Sequence, residues 1–157
     1  MAIEIERKYL VQGTAWKNAA NNARYRQGYL STTKERTVRV RTVENKGYLT
    51  IKGASTGCSR TEYEYEIPVV DANEMLDSIC VKPLIEKIRH KVTYAGHIWE
   101  IDEFFGDNRG LIIAELELIS EDQKIELPDW VAEEVTGDVR YFNSSLVKNP
   151  YKNWKRA

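Results

Sequence analysis

The first ten residues read Met1-Ala-Ile-Glu-Ile-Glu-Arg-Lys-Tyr-Leu10, and their alternation predicts a β-strand with one charged face. Successive side chains of a strand point to opposite faces, so Glu4, Glu6 and Lys8 lie on the same side. The two carboxylates are then about 6.6 Å apart. Oxygen ligands at this spacing suit a hard divalent cation, and the ammonium suits a phosphate. A solvent-exposed sheet face shows the same pattern, so the later strands decide between the two interpretations.

Charged residues are sorted by sign on the later strands as well. Arg39 and Arg41 share a face opposite valines, and Lys87 and Arg89 form a second cationic face. Carboxylates dominate the corresponding face of residues 60–67. Because solvent-exposed faces usually mix the two signs, this sorting favours the lining of a closed polar lumen. The predicted lining consists of Lys8, Arg39, Arg41, Lys52, Lys87 and Arg89, together with Glu4, Glu6, Glu62, Glu64, Asp102, Glu115 and Glu117.

Such a lumen predicts the chemistry of its ligand. Like charges held close together raise the free energy of the protein, and a ligand of opposite sign relieves the repulsion. The cations therefore indicate a polyanion, and the carboxylates indicate a divalent metal. A linear polyphosphate carrying Mg²⁺ or Mn²⁺ satisfies both, so these metals are the predicted cofactors.

Many short strands with few helices predict a mainly β member of the α+β class. The favoured architecture is a closed eight-stranded antiparallel β-barrel with a few covering helices, because closure removes exposed strand edges; a β-sandwich is the alternative. The predicted strands are residues 2–9, 24–31, 35–43, 47–53, 60–68, 85–95, 97–105 and 111–119. The predicted helices are residues 72–79 with Asp71 as N-cap, a segment near 129–135, and a segment from 143 or 144 to Pro150.

Length and composition predict a soluble globular protein with one domain over residues 1–157. The net charge of −1 gives no indication of nucleic-acid or membrane binding. The two cysteines, Cys58 and Cys80, are far apart, which favours a reducing cytoplasm over a disulfide framework or a zinc site. No apolar signal segment and no run of about 18 apolar residues is visible, so we expect no membrane span.

A series of short motifs extends over nearly the whole chain. In order they are Glu4-x-Glu6-x-Lys8, Arg26-Gln-Gly-Tyr29-Leu, Arg39-x-Arg41, Lys52, Ser59-Arg60-x-Glu62-x-Glu64, Glu86-Lys87-x-Arg89, Asp102, Glu115-x-Glu117 and Arg140-Tyr141-x-Asn143. The series resembles the CYTH superfamily, also called triphosphate tunnel metalloenzymes, and is most similar to the small bacterial inorganic tripolyphosphatases. This resemblance implies an eight-stranded antiparallel tunnel and metal-dependent hydrolysis of triphosphates. Phe142 departs from the pattern, since some relatives have a basic residue there.

The resemblance and the side-chain chemistry together assign roles. The expected phosphate-binding set is Lys8, Arg39, Arg41, Lys52, Arg60, Lys87 and Arg89, because guanidinium forks and ammonium groups match phosphate oxygens. The expected metal ligands are Glu4, Glu6, Asp102, Glu115 and Glu117. We favour a supporting role for Glu62 and Glu64, which would hold the arginines in place. The resemblance suggests a Tyr29/Lys87 pair as a base, and water activated by the metal is favoured over that pair.

The favoured function is cleavage of inorganic tripolyphosphate to pyrophosphate and phosphate, because the short chain has no clear base-recognition feature. On the same fold, the alternatives are nucleoside or thiamine triphosphatase activity, or a class IV-type adenylate cyclase. A third alternative is a non-catalytic polyphosphate-binding module. The expected partner is a triphosphate substrate, with no nucleic acid or membrane and with a possible homodimer.

Overall fold

The computed structural model describes residues 3–18 and 21–154. The strands are β1 (Ile3–Val11), β2 (Asn21–Ser31), β3 (Arg36–Val43), β4 (Lys46–Thr56), β5 (Ser59–Ile67), β6 (Val81–Tyr94), β7 (His97–Phe104), β8 (Ile112–Glu117) and β9 (Val131–Glu134). The helices are α1 (Val69–Ser78) and α2 (Asn143–Lys148), with short 3-10 helices at Ala15–Asn18, Gly106–Asn108, Val139–Tyr141 and Tyr151–Asn153.

Strands β1 to β8 close into an antiparallel barrel, which confirms the predicted fold. The order around the barrel is β1-β5-β4-β3-β2-β6-β7-β8, and β8 pairs again with β1. Strand β1 closes the ring because its two edges meet different partners. Ile3–Ile5 pair with β5, and Glu6–Leu10 pair with β8 on the other edge. The eight predicted strands correspond to β1–β8, with ends that differ by a few residues.

The helix predicted near residues 129–135 is wrong, because this segment contains strand β9. β5 pairs with β1 only as far as Ile5, so the same edge of β1 is left without a strand partner further along. β9 pairs there, with Tyr9 opposite Glu134 and Val11 opposite Val131. Unpaired backbone groups at a strand edge favour such a pairing, and this requirement outweighed the local helix signals.

The other two predicted helices are present. α1 begins at Val69, earlier than predicted, and the Ala72 N–H donates to the Pro68 carbonyl at 3.0 Å. Asp71 therefore lies in the first turn instead of at the N-cap, which corrects the predicted cap. α2 covers Asn143–Lys148 as expected. Within residues 3–18 and 21–154, no helix is long and apolar enough to cross a membrane.

Covering elements bury the apolar outer face of much of the barrel. α1 packs on β3 and β4, where Val40 and Leu76 are fully buried. Gly47 allows this close approach, because a Cβ there would lie 2.8 Å from the Cβ of Ala72. On the other side, Trp99 packs edge-on against Trp130, with 5.5 Å between ring centroids. The apolar side chains thus point outward, and the alternate side chains point into the lumen.

Apolar residues fill one end of the lumen. Leu146 and Val147 of α2 pack with Ile85, Phe104 and Ile113, which lie on the inner face of the strands. α2 therefore closes this end of the barrel as a plug. The rest of the lumen is lined by polar side chains.

Candidate active site

The lumen encloses a polar cavity of about 120 Å³. The sequence-predicted residues that line it are Glu4, Glu6, Lys8, Tyr29, Arg39, Arg41, Lys52, Arg60, Glu62, Glu64, Lys87, Arg89, Glu115 and Glu117. Asp102 is the one predicted site residue that does not line it. The cavity is also lined by Thr37, Glu100, Phe142, Asn143 and Ser144, which the expected site did not include. Glu100 could have been found from its strand, because its side chain has the same parity as Asp102.

Glu4 and Lys52 form the core of one wall of the cavity. The Lys52 Nζ lies 2.8 Å from Glu4 Oε1 and 3.3 Å from Glu62 Oε2. Burial raises the pKa of Glu4, although the nearby ammonium of Lys52 opposes this effect. A buried carboxylate with a raised pKa gains from any further cation that approaches it.

Two arginines on the neighbouring wall share one carboxylate. Arg39 and Arg41 each place Nη2 3.5 Å from Glu64 Oε2, and Glu64 also accepts a hydrogen bond of 2.8 Å from the Thr50 hydroxyl. The Nε–H groups of both arginines are buried and have no hydrogen-bond partner in the described part of the chain. Burial, reinforced by the charges of Arg39 and Arg89, lowers the pKa of Arg41 to about 10. These are donors that an anion in the cavity would satisfy.

Asp102 lies behind the cavity wall between two cations. Arg89 donates from Nε to Oδ1 at 2.8 Å and from Nη2 to Oδ2 at 3.0 Å, and the Lys87 Nζ is 2.8 Å from Oδ2. Although burial alone would raise it, Arg89 and Lys87 hold the pKa of Asp102 well below its usual range. Burial lowers the pKa of Lys87 to about 8. Both Asp102 oxygens are therefore engaged by these two cations.

Carboxylates meet on the wall formed by β1, β7 and β8. Glu6 stands directly opposite Glu117, and Glu100 stands directly opposite Glu115, which are two like-charged cross-strand pairs. Burial raises the pKa of Glu115, and Glu6 adds to the effect. Burial and Glu100 raise the pKa of Glu117 in the same way. Like charges directly opposite each other are destabilising, and a cation between them would remove that cost.

This donor set fits a hard divalent cation. Carboxylate oxygens are the ligands that Mg²⁺ and Mn²⁺ prefer. Within residues 3–18 and 21–154, no three carboxylate, imidazole or thiol groups already converge around one point. Lys8 lies between the carboxylates, 3.7 Å from Glu6 and 4.0 Å from Glu115. Coordination would therefore require these side chains to turn away from the ammonium.

The start of α2 and the residue before it contribute two side chains that strand periodicity cannot reveal. The centroid of the Phe142 ring lies 4.9 Å from the Lys8 Nζ and 5.8 Å from the Arg60 Cζ. The Asn143 Oδ1 accepts hydrogen bonds from Lys87 and Gln27. Both reach the cavity because the chain enters the lumen at this point. The final motif of the sequence series was the only signal for them.

Tyr29 lines the cavity at the plugged end but does not stand opposite Lys87. The register of β2 and β6 places Tyr25 opposite Lys87, and Tyr29 opposite Val81. Arg41 and Arg89 each lie 5.0 Å from the centroid of the Tyr25 ring. Tyr25 is therefore the aromatic residue that contacts Arg41 and Arg89, and Tyr29 belongs to the apolar cluster at the plug.

Comparison with known proteins gives one consistent result. A sequence profile of the CYTH domain matches residues 2–151. An inorganic triphosphatase of Acetivibrio thermocellus is 57% identical over 155 residues, which is 99% of each chain. An inorganic triphosphatase of Nitrosomonas europaea is 38% identical and covers 91% of this chain and 95% of its own length. The crystal structure of an inorganic triphosphatase superposes with a TM-score of 0.66 and 32% identity, covering 92% of this chain and 97% of that one.

Proposed function

The chain belongs to the CYTH domain family, and we propose that it is an inorganic triphosphatase that cleaves tripolyphosphate to pyrophosphate and phosphate. The observation that carries this proposal is the sorted charge of the cavity. Buried arginine Nε–H groups that have no hydrogen-bond partner among the described residues lie across the lumen from paired, like-charged carboxylates. A chain of phosphates with a bound divalent cation complements both.

We assign the phosphate contacts to the cationic wall. The guanidinium groups of Arg39, Arg41 and Arg89 can each bind two phosphate oxygens in a fork, whereas the lysines act as point charges. The remaining members of this set are Lys8, Lys52, Arg60 and Lys87. Glu62 and Glu64 hold Lys52 and the two arginines at the positions from which they bind. Such positioning and charge neutralisation provide most of the catalysis in phosphoryl transfer.

We assign the metal to Glu4, Glu6, Glu115 and Glu117, and Mg²⁺ or Mn²⁺ fits this donor set. When bound, the cation neutralises charge on the triphosphate and lowers the pKa of water. Asp102 leaves the expected ligand set, because Arg89 and Lys87 occupy both of its oxygens. Its proposed role is to anchor these two cations at the cavity wall.

Lys87 is the chain's own candidate for accepting a proton from the attacking water. Its side chain is only 1% exposed, and burial lowers its pKa to about 8. A base with a pKa near the working pH is the most effective proton acceptor. Tyr29 stays a candidate partner in this step, although the register places it away from Lys87.

A substrate panel tests the proposal. Purified protein is incubated with tripolyphosphate, ATP or thiamine triphosphate, in Mg²⁺, Mn²⁺ or excess EDTA, and the products are resolved by ion chromatography. We expect pyrophosphate and phosphate in equal amounts from tripolyphosphate, slower cleavage of the organic substrates, and no turnover in EDTA. Faster cleavage of ATP or thiamine triphosphate, or the appearance of cyclic AMP, would replace the proposed substrate. Tight binding without release of phosphate would support a binding module instead.

The other expectations about partners stay predictions. We propose that the chain binds neither nucleic acid nor membranes, in keeping with its net charge of −1. Light scattering in solution tests the possible homodimer.

A further inference from the structure

Asn143 connects the plug helix to the cationic wall. It is the first residue of α2, and its side-chain Oδ1 accepts two hydrogen bonds. One comes from the Lys87 Nζ at 2.9 Å, and the other from the Gln27 Nε2 at 2.8 Å. These two donors fix the orientation of the amide, because its NH₂ group in that place would face an ammonium and a second NH₂.

Lys87 has two fixed acceptors. Asp102 Oδ2 lies 2.8 Å from the Nζ, and Asn143 Oδ1 lies 2.9 Å from it. A neutral amine has two N–H donors and one lone pair. The nitrogen is tetrahedral, with one bond to carbon. When Asp102 and Asn143 engage both N–H donors, the lone pair occupies the fourth position. Lys87 is among the residues that line the cavity, and the remaining position is the one through which its nitrogen can reach a substrate.

Gln27 donates a hydrogen bond to Asn143 but leaves its own carbonyl oxygen unpaired within the described residues. Its side chain is fully buried, and its Oε1 has no hydrogen-bond partner within the described residues. A buried carbonyl oxygen without a partner is destabilising, so this amide is poorly explained by stability alone. Turning the amide over would set its oxygen against the Asn143 oxygen. The role of Gln27 is therefore carried by its NH₂ group, which donates to Asn143.

We propose that Asn143 is a positioning residue, which with Gln27 behind it holds the Lys87 amine so that its lone pair faces the substrate. This inference rests on the proposed function, because it assumes that Lys87 accepts a proton during hydrolysis. It gives α2 a second role besides closing the barrel. The same short helix that fills the apolar end also orients a side chain of the reaction centre.

The first test compares two asparagine substitutions at opposite ends of α2. Asn143→Ala removes the acceptor, and Asn149→Ala is the matched control at the exposed C-terminal end. We expect Asn143→Ala to lower kcat for tripolyphosphate roughly 3- to 10-fold, as the loss of one hydrogen bond to the neutral amine predicts, with KM changed less than about twofold. Asn149→Ala should match the unsubstituted protein. An unchanged kcat in Asn143→Ala, or a loss that appears only in KM, overturns the inference.

A double-mutant cycle then tests whether Asn143 acts through Lys87. In a Lys87→Met background, Asn143→Ala should lower kcat by less than about twofold, because the group that it positions is absent. Asn143→Asp keeps an acceptor oxygen but adds a negative charge beside Lys87, which favours the ammonium form. Its kcat should therefore reach half of its maximum at a higher pH than in the unsubstituted protein. Equal losses in both backgrounds, or an unshifted pH profile in Asn143→Asp, would mean that Asn143 does not position Lys87.

A measurement without turnover separates this inference from the proposed function. Hydrogen exchange at the Lys87 Nζ, followed by ¹⁵N NMR, should be faster in Asn143→Ala than in Asn149→Ala. Unchanged exchange rules out the positioning contact even if the enzyme is active. Failure of the unsubstituted protein to cleave tripolyphosphate overturns the proposed function, whatever the NMR result.

Discussion

Carboxylates already hold most of the cations that would bind phosphate. Lys52 contacts Glu4, Lys8 contacts Glu6 and Glu115, and Arg89 contacts Glu115 at 3.7 Å. A phosphate therefore competes with carboxylates for these donors. Because the same carboxylates are the proposed metal ligands, a cation that binds them frees the lysines for the substrate. We therefore expect the divalent cation to raise the affinity for the triphosphate, and the triphosphate to raise the affinity for the cation.

Replacing Asp102 distinguishes an anchor from a metal ligand. Asp102→Asn leaves Lys87 and Arg89 buried with a weaker counter-charge, and breaking such a buried pair costs about 3–5 kcal/mol. We expect this loss of unfolding free energy in urea titrations carried out in EDTA. Glu117→Gln is the control, because Glu117 forms no ion pair within the described residues, so that its loss leaves no cation without a counter-charge and should not lower stability in the same conditions. An Asp102→Asn protein as stable as the unsubstituted one would return Asp102 to the candidate metal ligands.

Replacing Lys87 separates catalysis from binding. Lys87→Met keeps the part of the side chain up to Cε in an unbranched form of similar length and removes the nitrogen. If Lys87 accepts a proton, kcat should fall by roughly 10²- to 10⁴-fold, the usual contribution of general-base catalysis, with a smaller change in the Kd for tripolyphosphate. Steady-state kinetics and calorimetry give the two values. Equal losses in kcat and affinity would make Lys87 an ordinary phosphate ligand.

The alternation of side chains along the strands predicted most of the cavity lining. It misplaced or missed the residues whose positions depend on contacts between distant segments. It placed the charged faces of β1, β3 and β8 toward the lumen. Asp102 has the same parity, but its pairing opposite Arg89 seals it behind the wall, and no sequence pattern shows that register. Asn143 and Phe142 reach the cavity from a segment with no strand period. Their position depends on how α2 packs into the barrel.

At the scale of elements, α2 is a short helix with a large effect. Its six residues are too few to be stable alone, so packing must hold it in place. Leu146 is fully buried in the cluster at the plug. The apolar end of the barrel and the orientation of Asn143 therefore depend on the same few contacts.

Substituting Leu146 tests this dependence. Leu146→Ala removes a fully buried side chain and should lower the free energy of unfolding by about 2–5 kcal/mol. Lys148→Ala, on the exposed side of the same helix, should change it by less than about 0.5 kcal/mol. Urea titrations of both variants give the values. Equal effects of the two substitutions would contradict the assignment of α2 as a structural plug.

β9 shows the limit of local sequence signals. Pro128 before the segment and Gly137 after it are ordinary signs of a short helix. The free edge of β1 is set by where β5 stops pairing, and that is a property of the closed barrel. The local sequence of residues 129–135 therefore cannot show that a free strand edge is available for pairing.

At the scale of the whole molecule, the closed barrel is easier to predict from the sequence than the elements that pack on its outer face. Most of the eight strands have one charged face, and a lumen lets faces of opposite sign meet one another instead of the apolar core. Which outer surfaces α1 and Trp130 cover depends on packing between distant segments. The assignment of residues 1–157 to one domain stays a prediction, and a single cooperative unfolding transition would support it.

The lumen as a whole should make stability depend on pH and on cations. Burial raises the pKa of Glu4, Glu115 and Glu117 above the ordinary value of 4.5. A group with a raised pKa in the folded state binds its proton more tightly when folded. Its contribution to stability is complete below pH 4.5 and is lost as the pH rises through the raised pKa. In EDTA, we therefore expect the Tm to be higher at pH 5 than at pH 7.5.

A divalent cation should replace the protons in this role. At pH 7.5, millimolar Mg²⁺ or Mn²⁺ should raise the Tm, because it neutralises the same carboxylates. The gain should shrink at pH 5, where protons already compete for them. Glu115→Gln should weaken both the pH effect and the cation effect, whereas Glu126→Gln, on an exposed loop, should change neither. A Tm that falls from pH 7.5 to pH 5 in EDTA, or a cation effect that survives unchanged in Glu115→Gln, would show that the crowded carboxylates do not control the stability of the barrel.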